Sequence, residues 1–332
     1  MPNTTVLVTG AGGFIGSHLT LHLAQLGYDV RALDVRPAPG VLLEEGIAYT
    51  RADIRDASAL ASLLRGVDTV FHLASVHLEV NAAPAQFEAV NVRAVADLVD
   101  SCARAGVRRL VHTSSVGIYG HVAQPPARED SPANPQNTYD RTKLAGERAA
   151  LRAATDVGLD LVVLRPAWVY GPRCPRTAKL LRTIKKGRFV YVGRGTNLRH
   201  PIYVADMMDA YVAAAAAPPT VAGRAYIIAG PRPHSLRDII GECARAQHVR
   251  PPRLAMPRSV AYAMGLTAEW AFAAVRREPP MSRRSLAFFE NTTAFDTTLA
   301  ARELAFRAKI ELPDGLDRTV AAANLMQPAH VA

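Results

Sequence analysis

Cysteine is scarce in this chain of 332 residues, which contains three: Cys102, Cys174 and Cys243. They stand far apart and without paired spacing. This excludes the cysteine pattern of a disulfide-rich secreted domain and the clustered pattern of a zinc site. We therefore expect no metal ion and a reducing, cytoplasmic environment.

Long apolar runs are also missing, because no stretch reaches the roughly 18–20 uninterrupted apolar residues that a membrane span needs. No charged-then-apolar leader precedes the first apolar run, which begins at Val6. The most apolar long segment, Ser259–Val275, contains Glu269 and several alanines. We predict a packed helix there, with an interfacial helix as the alternative, and no stable membrane insertion.

Acidic residues are outnumbered, since 29 Asp and Glu stand against 39 Lys and Arg, for a formal net charge of +10. Such an excess could attract a phosphorylated substrate or a nucleic acid. However, the arginines are dispersed and no run of five basic residues occurs, which indicates a solvated basic surface. We therefore predict a small-molecule substrate and no nucleic-acid partner.

The segment Val6–Leu19 has the pattern of a strand, a glycine-rich turn and the start of a helix. Its glycines follow one another at three-residue steps. Gly10 allows a tight turn, Gly13 lets the backbone approach a pyrophosphate, and Gly16 lets helix and strand pack closely. The helix N-terminus offers free N–H groups and the positive end of its dipole to the phosphates. This context predicts a dinucleotide-binding turn.

An acidic residue ends the second predicted strand, Val30–Asp34, and lies 24 residues after Gly10 (34 − 10). At this place a carboxylate accepts hydrogen bonds from the adenosine ribose of the dinucleotide, and it would repel a 2′-phosphate. The sequence therefore predicts NAD rather than NADP as the cofactor, a preference that the nearby Arg36 tempers.

Strand-like and helical segments alternate through the first half of the chain. The predicted strands are Val6–Thr9, Val30–Asp34, Thr69–Leu73, Arg109–Thr113 and Leu161–Arg165, and the predicted helices are Ser17–Leu26, Ala57–Leu64, Ala85–Ala105 and Tyr139–Thr155. Near-continuously apolar strands separated by helices predict an α/β fold, a doubly wound parallel sheet of the Rossmann type covered on both faces.

The pattern changes after Pro166. We predict an NAD-binding domain over residues 1–166 and a smaller C-terminal substrate-binding lobe over residues 167–332, with some of its segments returning to the sheet. In this second half the predicted helices are Thr177–Gly187, Val204–Ala217 and Ser235–Gln247, and the predicted strands are Phe189–Val192 and Arg224–Ala229.

Tyr139 and Lys143 stand four residues apart on a predicted helix and therefore lie on one face of it. An ammonium beside a phenol is expected to lower the pKa of the tyrosine from about 10 toward working pH. The phenol could then take or return the proton of a substrate hydroxyl while hydride moves to or from a nicotinamide. Ser115 follows the strand Arg109–Thr113, at the sheet edge where α/β proteins bind ligands, and would orient the carbinol oxygen. We predict that Ser115, Tyr139 and Lys143 are catalytic.

With these residues in place, the sequence resembles the extended short-chain dehydrogenase/reductase family. That family includes NAD-dependent epimerases and dehydratases of nucleotide sugars and 3β-hydroxysteroid dehydrogenases. The matching segments are TGAGGFIG (9–16), Asp34, Asp53-Ile54, HLAS (72–75), Asn91, TSSVGIYG (113–120), YDRTK (139–143), RPAWVYGP (165–172), RHPIYVAD (199–206) and the tail Phe295–Val320.

The resemblance implies that Ser115, Tyr139 and Lys143 form the catalytic triad and that Lys143 also holds the nicotinamide ribose. It places Asp53 and Ile54 beside the adenine. The full set of cofactor-binding residues that it implies is Gly10, Gly13, Phe14, Ile15, Gly16, Asp34, Asp53, Ile54, Leu73, Ala74, Ser75, Asn91, Tyr139 and Lys143.

Departures from the family pattern narrow the predicted reaction. The sugar dehydratases carry an Asp-Glu pair directly after the catalytic Ser or Thr, whereas this chain has Val116-Gly117, so dehydration is disfavoured. Arg199 stands where nucleotide-sugar members bind the diphosphate, but Trp168 replaces the usual asparagine. By the same resemblance, His200 and Tyr203 flank the pocket. The predicted substrate contacts are Ser115, Trp168, Arg199, His200 and Tyr203.

The sequence thus predicts an NAD-dependent enzyme that abstracts hydride from a secondary alcohol. A nucleotide-sugar 4-epimerase is slightly favoured, because of Arg199 and the missing dehydratase pair. The alternative is a 3β-hydroxysteroid-type dehydrogenase or ketoreductase acting on a non-nucleotide alcohol, and an alternative of another class is an NAD-sensing binding module. The family also implies a homodimer through a four-helix contact of Ala85–Ala105 and Tyr139–Thr155.

Overall fold

The computed structural model describes residues 4–77, 83–273 and 283–325. The strands are β1 (Thr5–Thr9), β2 (Asp29–Asp34), β3 (Ala48–Arg51), β4 (Thr69–His72), β5 (Arg109–Thr113), β6 (Asp160–Pro166), β7 (Trp168–Tyr170), β8 (Tyr191–Val192), β9 (Leu198–Arg199), β10 (Pro201–Tyr203), β11 (Ala225–Ile228), β12 (His234–Ser235) and β13 (Ala255–Met256). The α-helices are α1 (Phe14–Gln25), α2 (Gly40–Glu44), α3 (Ala57–Leu63), α4 (Pro84–Glu88), α5 (Ala94–Arg104), α6 (Thr138–Val157), α7 (Pro175–Lys185), α8 (Val204–Ala216), α9 (Leu236–Ala246), α10 (Arg258–Ala273), α11 (Arg283–Glu290), α12 (Thr298–Glu303) and α13 (Leu312–Leu325).

Seven strands form one parallel sheet in the order β11-β6-β5-β4-β1-β2-β3. At its centre β1 pairs with β2 on one side and with β4 on the other. The strand order reverses here, so the carboxyl ends of β1 and β4 border the crevice in which doubly wound proteins bind ligands. The predicted fold class is confirmed. All five strands predicted in the first half belong to this sheet, and β11 from the second half forms its other edge.

Apolar side chains cover both faces of the sheet, as the continuous apolar strands predict. Along β1, Val6 and Val8 pack into the cluster that contains α1 and α8, whereas Leu7 packs into the cluster with α3, α5 and α6. Successive strand residues point to opposite faces. A strand that is buried on both sides therefore has no polar face to interrupt its apolar run.

The short strands β7, β9, β10, β12 and β13 are absent from the prediction, and two further strands differ from it. β3 is missing from the sequence-based assignment, because it lies at the sheet edge, is only partly buried and has no continuous apolar run. The predicted strand Phe189–Val192 is wrong in its extent, since only Tyr191–Val192 is a strand. It pairs with β13 outside the main sheet.

The helices that the sequence predicts agree closely in their boundaries, with two informative differences, whereas α2, α11, α12 and α13 are absent from the prediction. α1 begins three residues before the predicted Ser17, because Gly13 already acts as its N-cap. The predicted helix Ala85–Ala105 is divided by a π-helical turn, Ala89–Arg93, between α4 and α5. Such a turn inserts a residue into the helical ladder and is frequent at functional sites.

α10 occupies the described part of the predicted helix Ser259–Val275, whose last two residues lie outside the described residues. It packs by one face. Ala261 is buried, whereas the side chains of Val260 and Met264 are nearly half exposed. Over the described ranges of the chain, none of the helices combines the length and the apolar character that crossing a membrane requires.

Candidate active site

The glycine turn between β1 and α1 leaves no room for larger side chains. Gly10 has a φ of +74°, and a Cβ at this residue would lie 2.6 Å from the backbone nitrogen of Ala74, which follows β4. A Cβ on Gly16 would lie 2.1 Å from the carbonyl oxygen of Gly10, so α1 starts directly against the turn. Gly13 is the N-cap of α1 and has no side chain to occupy the first N–H groups of the helix. This backbone fits the pyrophosphate of a dinucleotide.

Asp34 ends β2 and directs its carboxylate toward the glycine turn. Oδ2 accepts hydrogen bonds from the backbone N–H of Gly12 at 2.9 Å and from Nη2 of Arg36 at 3.0 Å. Oδ1 accepts from the backbone N–H and the Nε of Arg36, at 2.9 and 3.2 Å. The structure therefore places the predicted ribose-binding carboxylate beside the turn, in an ion pair with Arg36.

The other predicted cofactor residues follow neighbouring strands at the same sheet edge. The loop after β3 lies next to Asp34, because the backbone N–H of Ala52 donates to the carbonyl oxygen of Asp34 at 3.1 Å. In this loop a hydrogen bond from Arg55 lowers the pKa of Asp53, and the side chain of Ile54 is buried. The remaining members of this row follow β4 or begin α1, and they are Leu73, Ala74, Ser75, Phe14 and Ile15.

Asn91 lies in the π-helical turn and is buried. Its Oδ1 accepts from the backbone N–H of Val76 at 2.8 Å, and its Nδ2 donates to the carbonyl oxygen of Val76 and to Oγ1 of Thr142, both at 3.1 Å. The amide thus joins the loop after β4 to α6. The predicted direct contact with the cofactor stays a prediction, for which Oδ1 keeps its second acceptor position.

The three predicted catalytic residues lie at the carboxyl end of β5 and in the first turns of α6. Ser115 caps the 3₁₀ turn Val116–Tyr119, where its Oγ accepts from the backbone N–H of Gly117 at 2.9 Å. The hydroxyl hydrogen of Ser115 therefore points elsewhere. Tyr139 and Lys143 lie one turn apart on α6. β5 pairs with β4, and β4 pairs with β1. This group and the glycine turn therefore lie at the same end of the sheet, beside the carboxyl ends of these three strands.

Burial changes the acid–base properties of both α6 residues. Burial raises the pKa of Tyr139, Asp140 raises it further, and Arg176 opposes this effect. Burial also lowers the pKa of Lys143 to about 8. The predicted lowering of the Tyr139 pKa by Lys143 is wrong for this structure. The ammonium is held at β5 instead, where Nζ donates to the carbonyl oxygen of Thr113 at 2.5 Å.

A buried ion pair lies behind the catalytic residues. Glu147, one turn beyond Lys143, accepts from Nε of Arg165 at 3.1 Å and from Nη2 at 2.5 Å. Nη1 of Arg165 also donates to the hydroxyl of Tyr119 at 2.5 Å and to the carbonyl oxygen of Glu129 at 2.8 Å. The carboxylate of Glu147 raises the pKa of Lys143 against the effect of burial. The pair therefore fixes α6 on β6 and stabilises the charge of Lys143.

His77 and Arg176, which the sequence analysis does not single out, lie beside Tyr139. The ring of His77 stands edge-on to the phenol, with ring centroids 4.5 Å apart. Nε2 of His77 is 3.0 Å from Nη2 of Arg176, in the first turn of α7. The two residues are 99 positions apart. No spacing in the sequence could therefore have indicated their pairing.

Gly117 stands where the dehydratases of the resembled family carry an acid. Because it has no side chain, it leaves room for a carboxylate of α6. A Cβ on Gly117 would lie 2.1 Å from Oδ1 of Asp140 and 3.1 Å from Oγ of Ser115. Oδ2 of Asp140 accepts from Nδ2 of Asn137 at 2.5 Å. A carboxylate of α6 thus lies near Ser115, although the residues that follow Ser115 carry none.

Arg199 in β9 points to the last turn of α11. Its Nη2 donates to the carbonyl oxygens of Phe288 at 2.5 Å and Ala287 at 3.2 Å, and its guanidinium carbon lies 4.8 Å from the centre of the Phe288 ring. Burial lowers the pKa of Arg199 to about 10. Carbonyls at a helix C-terminus are natural partners of a cation. The residue predicted to bind a diphosphate is therefore partly engaged by the chain, whereas its Nε is buried without a hydrogen-bond partner among the described residues.

His200 is buried and bound to backbone on both sides of its ring. Its Nε2 donates to the carbonyl oxygen of Gly230 at 2.9 Å, and its Nδ1 accepts from the backbone N–H of Phe295 at 3.3 Å. The ring thus joins the junction of β9 and β10 to the loop after β11 and to the C-terminal segment. No ring nitrogen remains for the predicted substrate contact.

The two predicted aromatic contacts differ from each other. Trp168 is partly exposed and packs edge-to-face on Phe288, with centroids 5.6 Å apart. Tyr203 is 6% exposed and packs on Tyr170. Trp168 therefore belongs to an aromatic wall near Arg199, and Tyr203 belongs to the core.

Comparison with known proteins agrees with this geometry. The NAD dependent epimerase/dehydratase family matches residues 6–229. The 2-alkyl-3-oxoalkanoate reductase of Stenotrophomonas maltophilia is 29% identical, over 96% of this chain and 98% of its own. The N-acetyl-alpha-D-glucosaminyl-diphospho-ditrans,octacis-undecaprenol 4-epimerase of Escherichia coli O157:H7 is 27% identical, over 96% of this chain and 95% of its own.

Among solved structures, MoeE5 in complex with UDP-glucose and NAD is 29% identical and superimposes with a TM-score of 0.75, over 97% of this chain and 99% of that one. The family match covers the glycine turn, the Ser115, Tyr139 and Lys143 group, and most of the sheet. The chain therefore belongs to the NAD-dependent epimerase/dehydratase family, of the extended short-chain dehydrogenase/reductase type, and is an NAD-dependent enzyme.

Proposed function

We propose that this enzyme oxidises a secondary alcohol to a ketone, or reduces the ketone, and that the substrate is not a nucleotide sugar. One observation supports the reaction type. The glycine turn lies at the same end of the sheet as Ser115, Tyr139 and Lys143. A phenol, an ammonium and a hydroxyl beside a dinucleotide site are the groups that alcohol–ketone interconversion requires.

The cofactor would be held by the glycine turn and Asp34, and its nicotinamide ribose by Lys143. NAD supplies a hydride acceptor when bound, or a hydride donor in its reduced form. Tyr139 keeps its proton at neutral pH, because its pKa is raised by burial. The residue is therefore poised to donate a proton to a carbonyl oxygen, as ketone reduction demands, and to take the proton back in the reverse direction.

Ser115 and Lys143 support this proton transfer. The Oγ of Ser115 accepts from the N–H of Gly117, so its own O–H is the group that can donate to the reacting oxygen. With a pKa of about 8, Lys143 is mostly charged at neutral pH, and its ammonium stabilises negative charge that develops nearby.

The surroundings of Arg199 favour a non-nucleotide substrate. Its guanidinium binds helix carbonyls and stacks on Phe288, and Trp168 extends the same aromatic wall. An apolar alcohol or ketone fits this wall better than a diphosphate does. The likeness to a 2-alkyl-3-oxoalkanoate reductase over almost the whole chain supports the same substrate class.

A nucleotide-sugar 4-epimerase, slightly favoured by the sequence, is the second candidate. The likeness to a structure that holds UDP-glucose and NAD supports it. In that case the ketone would remain bound, turn its other face to the cofactor and receive the hydride back.

Absorbance of reduced nicotinamide separates the two candidates. We expect the protein to consume NADH with a 2-alkyl-3-oxoalkanoate, or to produce it with the corresponding hydroxy acid. With UDP-glucose or UDP-glucuronic acid we expect neither a change in absorbance nor a new sugar in the product mixture. Conversion of either sugar to its 4-epimer, without net production of NADH, would show that the protein is the epimerase rather than the reductase.

An NAD-sensing module is a function of another class. Such a protein would bind NAD but would not depend on Tyr139, whereas the enzyme does. The catalytic group argues against a sensor, because a phenol one helical turn from a lysine, at the same end of the sheet as a serine hydroxyl, serves no purpose in recognition alone.

We also propose the division into an NAD-binding domain, residues 1–166, and a substrate lobe, residues 167–332, as well as a cytoplasmic homodimer. The helices α5 and α6, which pack side by side on one face of the sheet, would supply the four-helix contact. Light scattering after size exclusion tests the dimer, which predicts twice the mass of 35.7 kDa.

A further inference from the structure

The carboxylate of Asp34 is saturated by donors of the chain itself. Each of its oxygens accepts two N–H groups, three of the four from Arg36 and one from Gly12. A carboxylate has about four acceptor positions. A ribose hydroxyl that binds Asp34 must therefore replace one of these donors. The guanidinium of Arg36 is the one that can move, because its side chain is 58% exposed whereas the other two donors are backbone groups.

Arg36 lies at the rim of the cofactor site. Its Nη2 is 3.2 Å from the place of a Cβ on Gly13, so the guanidinium reaches from Asp34 to the glycine turn. A side chain in this position can leave Asp34 without leaving the ribose end of the site.

Positive charge exceeds negative charge around Asp34. The phenol of Tyr49 donates to the carbonyl oxygen of Arg36 at 2.8 Å, and Nε of Arg51 donates to the carbonyl oxygen of Val35 at 3.1 Å, so Arg51 lies beside the segment that joins Asp34 to Arg36. Two cations and one anion thus surround the end of β2 and β3. The repulsion that Asp34 alone would exert on a phosphate is offset here.

We propose that this enzyme binds NADP as well as NAD, and that Arg36 turns from Asp34 to the 2′-phosphate when NADP is bound. Asp34 then keeps the backbone N–H groups of Gly12 and Arg36. The planar guanidinium donates paired N–H bonds to the phosphate, the geometry in which arginine binds phosphates best. With NAD, the ribose hydroxyls take the places that the guanidinium vacates. This inference concerns binding at the adenosine end of the site, and it holds whether the substrate is a ketone or a nucleotide sugar.

The chain offers a matched control one strand away. Arg55 binds Asp53 in the same way that Arg36 binds Asp34, through its backbone N–H at 2.9 Å, its Nε at 2.9 Å and its Nη2 at 2.7 Å. Arg55→Ala therefore removes the same charge from the same Asp-x-Arg turn, at the carboxylate predicted to lie beside the adenine rather than at the one predicted to bind the ribose.

Titration calorimetry of the full chain with NAD⁺ and with NADP⁺ tests the proposal without any turnover. We expect the wild type to bind NADP⁺ within about tenfold of NAD⁺. We expect Arg36→Ala to weaken NADP⁺ by about tenfold or more, as loss of a charge-assisted hydrogen bond to phosphate does, and to leave NAD⁺ within about threefold. Arg36→Lys, which keeps the charge but not the paired bonds, should lie between the two. Arg55→Ala should leave the ratio of the two affinities unchanged.

Three results would overturn the proposal. The first is a wild type that binds NADP⁺ more than about tenfold more weakly than NAD⁺, which would mean that Asp34 still excludes the phosphate. The second is an equal loss of both cofactors in Arg36→Ala, which would make Arg36 a structural residue. The third is the same change of ratio in Arg55→Ala, which would assign the effect to net charge.

Discussion

The ammonium of Lys143 donates to the carbonyl oxygen of Thr113 at 2.5 Å, so the cation of α6 is anchored on the last residue of β5. The acid–base behaviour of the neighbouring Tyr139 is then set by burial and by Asp140. Both keep the phenol protonated. The site is thereby suited to give a proton to a carbonyl oxygen at neutral pH.

Asp140→Asn should move the pH dependence of the reaction to lower pH. The carboxylate of Asp140 raises the pKa of Tyr139, so its removal lowers that pKa. Ketone reduction needs the neutral phenol. As the pH rises, the variant should therefore lose this activity at a lower pH than the wild type does. Alcohol oxidation needs the phenolate and should appear at lower pH. The measurement is kcat/KM against pH in both directions.

Asp156→Asn is the control for that profile, because Asp156 is exposed near the other end of α6. This variant should leave the pH profiles of ketone reduction and of alcohol oxidation unchanged. Coincident profiles for Asp140→Asn and the wild type would show that Asp140 does not act on the phenol.

Gly16→Ala should destabilise the fold by roughly 2 kcal/mol or more, because its Cβ would lie 2.1 Å from the carbonyl oxygen of Gly10. The backbone of the turn must shift to relieve this overlap, so NAD affinity should fall as well. Gly241→Ala is the matched control, since a Cβ on this glycine of α9 meets no atom within 4 Å. It should stabilise the helix by about 0.5–1 kcal/mol. Urea unfolding measures both, and equal effects would contradict the steric argument.

The elements that the sequence predicts well are those whose cause is local. The strand, glycine turn and helix of residues 6–19 follow from apolar periodicity and from the need for glycine at Gly10 and Gly16. What the sequence does not predict depends on contacts between distant residues. The edge strand β3 has no apolar run of its own, and its pairing with β2 decides its conformation.

The same distinction applies within the site. Tyr139 and Lys143 are recognisable from their four-residue spacing, but the direction of the ammonium is decided by Thr113 on another element. Likewise, the arginine at position 199 is visible in the sequence. Its hydrogen bond to a carbonyl oxygen of α11 cannot be read from the sequence, because α11 lies almost 90 residues further along the chain. Neither the partner of a buried charge nor the resulting pKa can be derived from spacing.

Arg109→Leu should cost roughly 3–5 kcal/mol of unfolding free energy. This buried guanidinium pairs with Asp160 and donates to carbonyl oxygens at the end of α8, including that of Ala214 at 2.9 Å. Its loss leaves a charge and several acceptors without their donor. Arg108→Ala is the control, because the neighbouring ion pair with Asp68 is half exposed and should contribute no more than about 1 kcal/mol. Chemical denaturation of the two variants would contradict this account if the costs were equal.

Arg199→Met should reduce stability without changing recognition of a nucleotide. The guanidinium binds α11 carbonyls, so the variant should unfold at lower denaturant concentration. The wild type should bind UDP no more tightly than about 1 mM, and the KM for a ketone should stay within about threefold in the variant. Tight UDP binding that is lost in Arg199→Met would instead assign this residue to a diphosphate and favour the epimerase.

The most direct test of the central claim is the turnover of Tyr139→Phe, measured as NADH consumed with a 2-alkyl-3-oxoalkanoate, together with NAD⁺ affinity by calorimetry. Removal of the proton donor should lower kcat by about 10²–10⁴-fold, while NAD⁺ affinity stays within about threefold. A variant that retains at least a tenth of the wild-type turnover would contradict the assignment of Tyr139 as the acid and base of this enzyme.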